Sequence, residues 1–379
     1  MAPSPTRPAR RRRLARSRRS APTCADPWTA AGVICDDRGV STLLVRSTLI
    51  VVLACAAAAL GLGASASAQE PGALLAVLGF QEETGPLARI DASAPALSTV
   101  GVDGVNLRPS GEAATAPDAH ARAQLARAHA DHLRAVLLVG NFDEKVGDFY
   151  EPTAYALLGS PKNVTAVAAQ LARYVIRQGW DGVSVDLESL LRRDAAGLVA
   201  FVSALHGDLP AGDVVNVDVT NYTRPAQYLA AGYELQALGA AASEVTLMAY
   251  DQHGPWESRP GPVGALAWTR AGLAVALRSI PASKIDLGVA GYGYAWRPHG
   301  VVQLSDAQAR ELVAADHAAA HFQRAAGEWT AKLSDGSTLW WSDQQSYLRR
   351  AQLALAEHLN GMAIWSLDLS DPLTPVARE

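Results

Sequence analysis

Eight short apolar runs, separated by longer amphipathic or alanine-rich stretches, constrain this chain more than any other feature. The runs lie at 73–80, 104–107, 135–139, 182–187, 214–219, 245–248, 285–289 and 361–365. A strand buried on both faces reads as a continuous apolar run, and the helix that covers it follows in sequence, so the alternation is that of βα units. Eight of them predict an α/β chain closed into a (β/α)8 TIM barrel, with helices such as 161–178 and 195–209 in the outer ring. The interval between the seventh and eighth strands, about 297–345, is too long for a simple crossover. It holds a helical stretch at 306–326 and then a hairpin pattern at 330–341 around Asp335-Gly336, which predicts a small α+β insertion. No repeat or low-complexity linker divides residues 69–379, which are expected to form one barrel domain.

The first 68 residues read differently. Arginines crowd positions 7–19, an apolar segment spans 47–63, and Ala66-Ser67-Ala68 follows. A basic region, a short apolar core and an A-x-A site predict a secretory signal peptide cleaved near Ala68, and a protein that is secreted or held in the periplasm or cell envelope. The apolar segment is short for a membrane span, and no stable span is expected in the mature chain; an uncleaved anchor is the alternative. Cys24, Cys35 and Cys55, the only cysteines, all precede the cleavage site, so no disulfide framework is expected after it. Cys55 loosely matches a lipid acylation site, but apolar sequence continues past it. Residues 1–68 hold 10 basic and 3 acidic side chains, which leaves 23 against 34 beyond them, a net charge of −11. So acidic a chain, without a basic stripe, is not a nucleic-acid binder. A monomer is expected.

The stretch 179–189, Gly-Trp-Asp-Gly-Val-Ser-Val-Asp-Leu-Glu-Ser, carries the chemistry. Side chains alternate across a strand, which puts Ser184, Asp186 and Glu188 on one face and Val183, Val185 and Leu187 on the other. Residues two apart lie roughly 7 Å apart, so Asp186 and Glu188 can reach one small ligand. Two carboxylates so close do not ionise independently, and one is driven toward the protonated form that a general acid requires. The competing reading is an edge strand with a solvated acidic face.

Asp181-Gly182-Val183-Ser184-Val185-Asp186-Leu187-Glu188 resembles the Asp-Gly-x-Asp-x-Asp-x-Glu signature of family 18 glycoside hydrolases, the chitinases and their relatives, on the fourth barrel strand. Ser184 stands where most chitinases carry an aspartate; a short polar residue there, often asparagine, is what the resemblance implies for the branch with spore-cortex-lytic and spore-germination glycosidases. Met248-Ala249-Tyr250-Asp251 resembles the family's Met-x-Tyr-Asp motif, Ala363-Ile364-Trp365 its last strand with a tryptophan flooring the sugar pocket, and Gly291-Tyr292-Gly293-Tyr294-Ala295-Trp296 the end of its seventh. The resemblance implies catalysis by Glu188, Asp186, Tyr250 and Asp251. Glu188 would be the acid, Asp186 would orient the acetamido N–H, Tyr250 would hold the acetamido oxygen, and Asp251 would help hold the distorted sugar. Asp181, Ser184, Trp365, Tyr292 and Trp296 join the substrate-binding set. Asn141 and Gln81, with Asp218 and Tyr222, are added only because they fall at strand ends. The implied substrate is an N-acetylated polysaccharide (peptidoglycan-like glycan, chitin or poly-N-acetylglucosamine), cleaved without metal or cofactor through attack by the substrate's own acetamido oxygen. A non-catalytic, lectin-like barrel is the alternative, disfavoured by the presence of Glu188.

Other constellations are thinner. His317 and His321 lie four apart in the expected helix, beside Asp316, a spacing that suits a metal but without a third ligand nearby. His129 and His132 offer less.

Overall fold

A computed structural model describes residues 73–378. The expected signal peptide, its cleavage site and the three cysteines lie outside the described residues. Eight parallel strands close a barrel: β1 (Ala76–Gln81), β2 (Thr99–Asn106), β3 (Arg134–Gly140), β4 (Gly182–Asp186), β5 (Val214–Thr220), β6 (Glu244–Met248), β7 (Ile285–Ala290) and β8 (Gly361–Trp365). Each pairs with its neighbours in sequence, and β1 pairs with β8 to shut the ring. The barrel is therefore the one expected, and the strand that departs most from its apolar run is β2, which starts five residues earlier. Its apolar run reads short because Gly101 and Asp103 interrupt the hydrophobic pattern around Val100 and Val102, which belong to the main core.

The helices cover the strands for legible reasons. In Pro161–Gln178, Ser160 caps the start by accepting from the Asn163 N–H at 3.3 Å, proline fills the first turn, and Gly179 ends the helix at φ 83°. Its buried Val164, Val167, Leu171 and Val175 recur at helical spacing and join Val183, Val185 and Leu187 of the fourth βα unit in one core. Each such side chain contributes about 1.5–3 kcal/mol when taken fully from water. Gly182 is required where it stands, because its φ is 150° and a Cβ there would strike the Val214 carbonyl at the start of β5.

The insertion is present but begins earlier than residue 297. Tyr292–Arg297 leaves β7 through Gly291 and becomes a central strand of a five-stranded antiparallel sheet, ordered Gly300–Ser305, Tyr292–Arg297, Thr338–Trp341, Glu328–Lys332, Ala320–Gln323. The hairpin around Asp335-Gly336 is there, with Gly336 at φ 88°. The helix expected at 306–326 stops at Ala315: His317 turns to φ 52°, and Ala320–Gln323 pairs with Glu328–Lys332. Alanines 318–320 favour helix locally, but pairing along the sheet edge prevails. His317 and His321 consequently share no helix face, and the Asp316 carboxylate accepts from Ser334 instead. A buried ion pair fastens the insertion to the barrel. Glu328 accepts from the Val263 and Gly264 N–H groups at 2.7 Å each and pairs with Arg350 at 2.9 Å. Among the described residues, no helix is long and apolar enough to cross a membrane.

Candidate active site

The C-terminal ends of the strands surround a cleft of about 650 Å³, open between the loops after β1, β2 and β3 and lined also by Asp186, Trp365 and, from the insertion, Gln303. Asp186 ends β4 pointing inward, only 5% exposed, and its Oδ1 has no hydrogen-bond partner among the protein atoms. Burial first, and then the charges of Glu188, Asp218 and Asp103, push its pKa well above the ordinary carboxylate value. Glu188 follows two residues beyond the strand and is half-buried. Burial, then Asp251, Asp218 and Asp148, raise it to about 8, toward the protonated form that a general acid needs.

Ser184 is fully buried, so it holds protein rather than substrate. Its Oγ donates to Asp218 Oδ2 at 3.0 Å, while Asn216 Nδ2 donates to Ser184 Oγ at 2.7 Å and to Asp218 Oδ1 at 2.8 Å. The carboxylate missing at position 184 is thus supplied from the neighbouring strand. Asp218 is itself raised to about 6 by burial, against the hydrogen bonds that favour its charged form.

Several expected sugar contacts are instead bonded within the protein, two of them to Glu188 and Asp251. Asn141, fully buried, accepts from the Glu188 N–H at 2.9 Å and donates to the Glu188 carbonyl at 3.1 Å, which clasps the main chain of that residue from both sides. Gln81 is also fully buried and donates to Asp368 Oδ1 at 2.9 Å. The Tyr292 and Tyr294 hydroxyls donate to Asp251 Oδ1 at 2.6 and 2.9 Å and fix a residue whose φ is 59°. Trp296 is buried against Tyr294, with its indole N–H on the Glu257 carbonyl. Asp181 lies at the other end of the barrel, before β4, and accepts from Ala135 N at 2.8 Å and contacts His129 Nε2 at 2.9 Å. It belongs to the stability face of the barrel, not to the cleft.

Tyr250 packs edge-on to Tyr292, and Tyr222 lies close enough to Glu188 for the carboxylate to raise its hydroxyl pKa, after burial. Trp365 packs on Phe80 at 5.5 Å between ring centroids and leaves part of its surface to the cleft. Sequence reasoning missed Glu82 and Glu83, which line the cleft from the loop after β1, Asp103 on β2, and Trp256, 60% exposed beside Tyr294. Only inward parity on β2 could have pointed to Asp103, and nothing local singles out the others.

Buried carboxylates gathered at the C-terminal mouth of a parallel barrel, with Asp186 and Glu188 both raised above the ordinary carboxylate range, are the frame a glycosidase requires. The chain belongs to glycosyl hydrolases family 18, whose pattern matches residues 111–370. It is 27% identical to a chitinase from Chromobacterium violaceum (TM-score 0.72), over 78% of this chain and 95% of that one. The spore cortex-lytic enzyme SleL of Bacillus cereus shares the fold (TM-score 0.70, 16% identity, 79% of this chain and 72% of that one). YdhD of Bacillus subtilis (strain 168), named as a sporulation-specific glycosylase, is 26% identical over 233 residues, 59% of this chain and 55% of its own length. The chain thus spans little more than half of that relative.

Proposed function

We propose that this chain cleaves β-linked N-acetylglucosamine-containing glycans with retention, the substrate's 2-acetamido oxygen serving as nucleophile. Glu188 protonates the departing glycosidic oxygen. Asp186 orients the acetamido N–H and then stabilises the positive oxazolinium, in keeping with family 18's place outside the two-carboxylate scheme. Tyr250 holds the acetamido oxygen and Asp251 the distorted ring. The observation that carries this reading is the pairing of a Glu188 acid raised to about 8 with a buried Asp186 whose Oδ1 is left without a protein partner. A general acid must hold its proton at working pH, and the second group must face the reacting sugar.

Glu188→Gln keeps size but cannot donate the proton, so kcat should fall on the order of 10²–10⁴-fold with binding largely kept. Asp186→Asn should also slow turnover. A fully de-N-acetylated oligomer, lacking the nucleophile, should not be cleaved. Activity that survives Glu188→Gln, or equal cleavage of acetylated and de-N-acetylated oligomers, sinks the mechanism. Binding by wild type without turnover returns the lectin-like reading. We further infer that the chain is exported and cleaved near Ala68, from the basic, apolar and A-x-A segments in series. N-terminal sequencing of material from the envelope or medium should give a start near Gln69; Met1, or a lipid on Cys55, overturns this.

A further inference from the structure

β3 ends one residue before Asn141, and the chain then folds back on itself. Phe142–Asp143 pairs antiparallel with Asp148–Phe149, Gly147 makes the turn at φ 70°, and the Tyr150 N–H returns to the Asn141 carbonyl at 3.0 Å. The parallel ladder between β3 and β4 therefore stops at Gly140 opposite Asp186. Glu188 lies two residues past that last pair, and the hairpin has drawn away the strand that would have bonded its main chain. The Asn141 side chain stands in for it, because a carboxamide carries the donor and the acceptor of a peptide group on a short stem. Its Oδ1 accepts from the Glu188 N–H at 2.9 Å, and its Nδ2 donates to the Glu188 carbonyl at 3.1 Å and to the Tyr150 carbonyl at 3.2 Å. Both amide hydrogens are engaged, the side chain is fully buried, and it takes no part in lining the cleft. The residue after the acid needs such a hold. Ser189 is exposed, yet it takes φ 59°, a left-handed conformation that a residue with a Cβ keeps only where its surroundings fix it. The hairpin is itself fastened to β2, where Asn106 Nδ2 donates to the Phe142 carbonyl at 2.7 Å, and its Asp148 is one of the charges that raise Glu188.

We propose that Asn141 is the positioning residue of the general acid, holding the Glu188 main chain against the hairpin so that the carboxyl is presented to the glycosidic oxygen. This rests on the hydrolase reading. In that reaction the acetamido oxygen bonds to the anomeric carbon, the glycosidic bond breaks, and the Glu188 proton passes to the leaving oxygen. The transfer needs the acid within hydrogen-bond reach of that oxygen, about 2.6–3.2 Å, and a flexible side chain is aimed only as well as its main chain is held. Asn141 acts through Glu188, so its loss misplaces the acid without removing it. An ionised aspartate in its place would accept but not donate, and a serine is too short to span both groups.

The test measures kcat/KM, which runs only as far as departure of the leaving group, for the full chain as wild type, Glu188→Gln and Asn141→Ala. Two substrates share the N-acetylglucosamine unit at the cleaved bond: an N-acetylglucosamine oligomer, whose leaving oxygen needs a proton, and a dinitrophenyl glycoside, whose phenolate departs without one. Asn141→Ala should lose about 10²-fold on the oligomer, the cost of a catalytic group displaced by about 1 Å, and stay within about threefold of wild type on the dinitrophenyl glycoside. Glu188→Gln should show the same selectivity with a larger loss on the oligomer. Should Asn141→Ala fail to fold, Asn141→Ser, which leaves room for a water in place of the amide, should show the selectivity at a smaller loss. Equal losses on the two substrates would mean that Asn141 serves the fold alone and would overturn the proposal. Selective loss in Glu188→Gln without it in the Asn141 variants removes the positioning role and leaves the hydrolase standing. If Glu188→Gln itself loses both substrates equally, or neither, the acid is misassigned and both readings fall.

Discussion

At the scale of single residues, the proposed catalytic pair is legible because it needs only strand parity and a motif, whereas its supports are not. Asp186 and Glu188 follow from the alternation in one stretch, but the carboxylate that replaces the one missing at position 184 comes from Asp218, 34 residues on, and only the β4–β5 pairing brings them together. Asn141, Gln81, Tyr292 and Trp296 do lie near strand ends. Their polar atoms serve the protein, since a buried polar group must find a partner: the Glu188 main chain for Asn141, Asp251 for Tyr292, Asp368 for Gln81 and the Glu257 carbonyl for Trp296. The raised Glu188 has a consequence for stability. Its folded pKa is about 8 against 4.5 for the free side chain. Between these values the folded state keeps a proton that the unfolded state releases, so this contribution to stability is complete below pH 4.5 and is lost as pH climbs toward 8. Melting temperature should therefore fall from about pH 5 to about pH 8 more steeply in wild type than in Glu188→Gln, where the group cannot titrate. Turnover should fall over the same upper range as the acid loses its proton. Parallel melting curves for the two proteins would refute the assignment of the shift to Glu188.

At the scale of elements, the hairpin at the end of the insertion is readable from Asp335-Gly336, while the helix before it reads too long because local alanine content cannot report a sheet edge waiting for a strand. The attachment of the insertion is invisible for a related reason: Glu328 and Arg350 are 22 residues apart and meet only through the folded sheet. Both are almost fully buried, at 0% and 3% side-chain exposure. Removing one partner strands the other charge, so Arg350→Leu should cost about 3–5 kcal/mol. A double apolar replacement should not rescue it, because Glu328 also satisfies the Val263 and Gly264 N–H groups, which would then be buried without acceptors. Urea denaturation of the two variants checks both statements. A double variant as stable as wild type would mean that the pair contributes nothing beyond its own charges.

For the whole molecule, eight apolar runs in βα order point to a closed barrel, the arrangement in which no strand edge is left uncovered. How the ring is sealed at its bottom cannot be foreseen, since the sealing segments have no periodicity. The Leu75 N–H donates to the Val376 carbonyl at 2.8 Å, the Arg378 N–H to the Ala73 carbonyl at 2.7 Å, and Leu74 bridges Ala377 antiparallel. The Arg378 guanidinium also donates to the carbonyls of Leu359 and Asn360, just before β8. The C-terminal segment therefore ties the approach to β1 to the approach to β8, across the seam where the barrel closes. Removing residues 376–379 deletes these main-chain bonds, each contributing about 0.5–1.5 kcal/mol net. The expected loss is on the order of 5 °C in melting temperature. Because this clasp lies at the N-terminal ends of the strands and the carboxylates lie at the opposite ends, kcat measured well below the transition should be unchanged. Loss of turnover while circular dichroism still reports an intact barrel would show that the clasp and the cleft are coupled through the strands, and the separation of a stability face from a chemistry face would not hold for this protein.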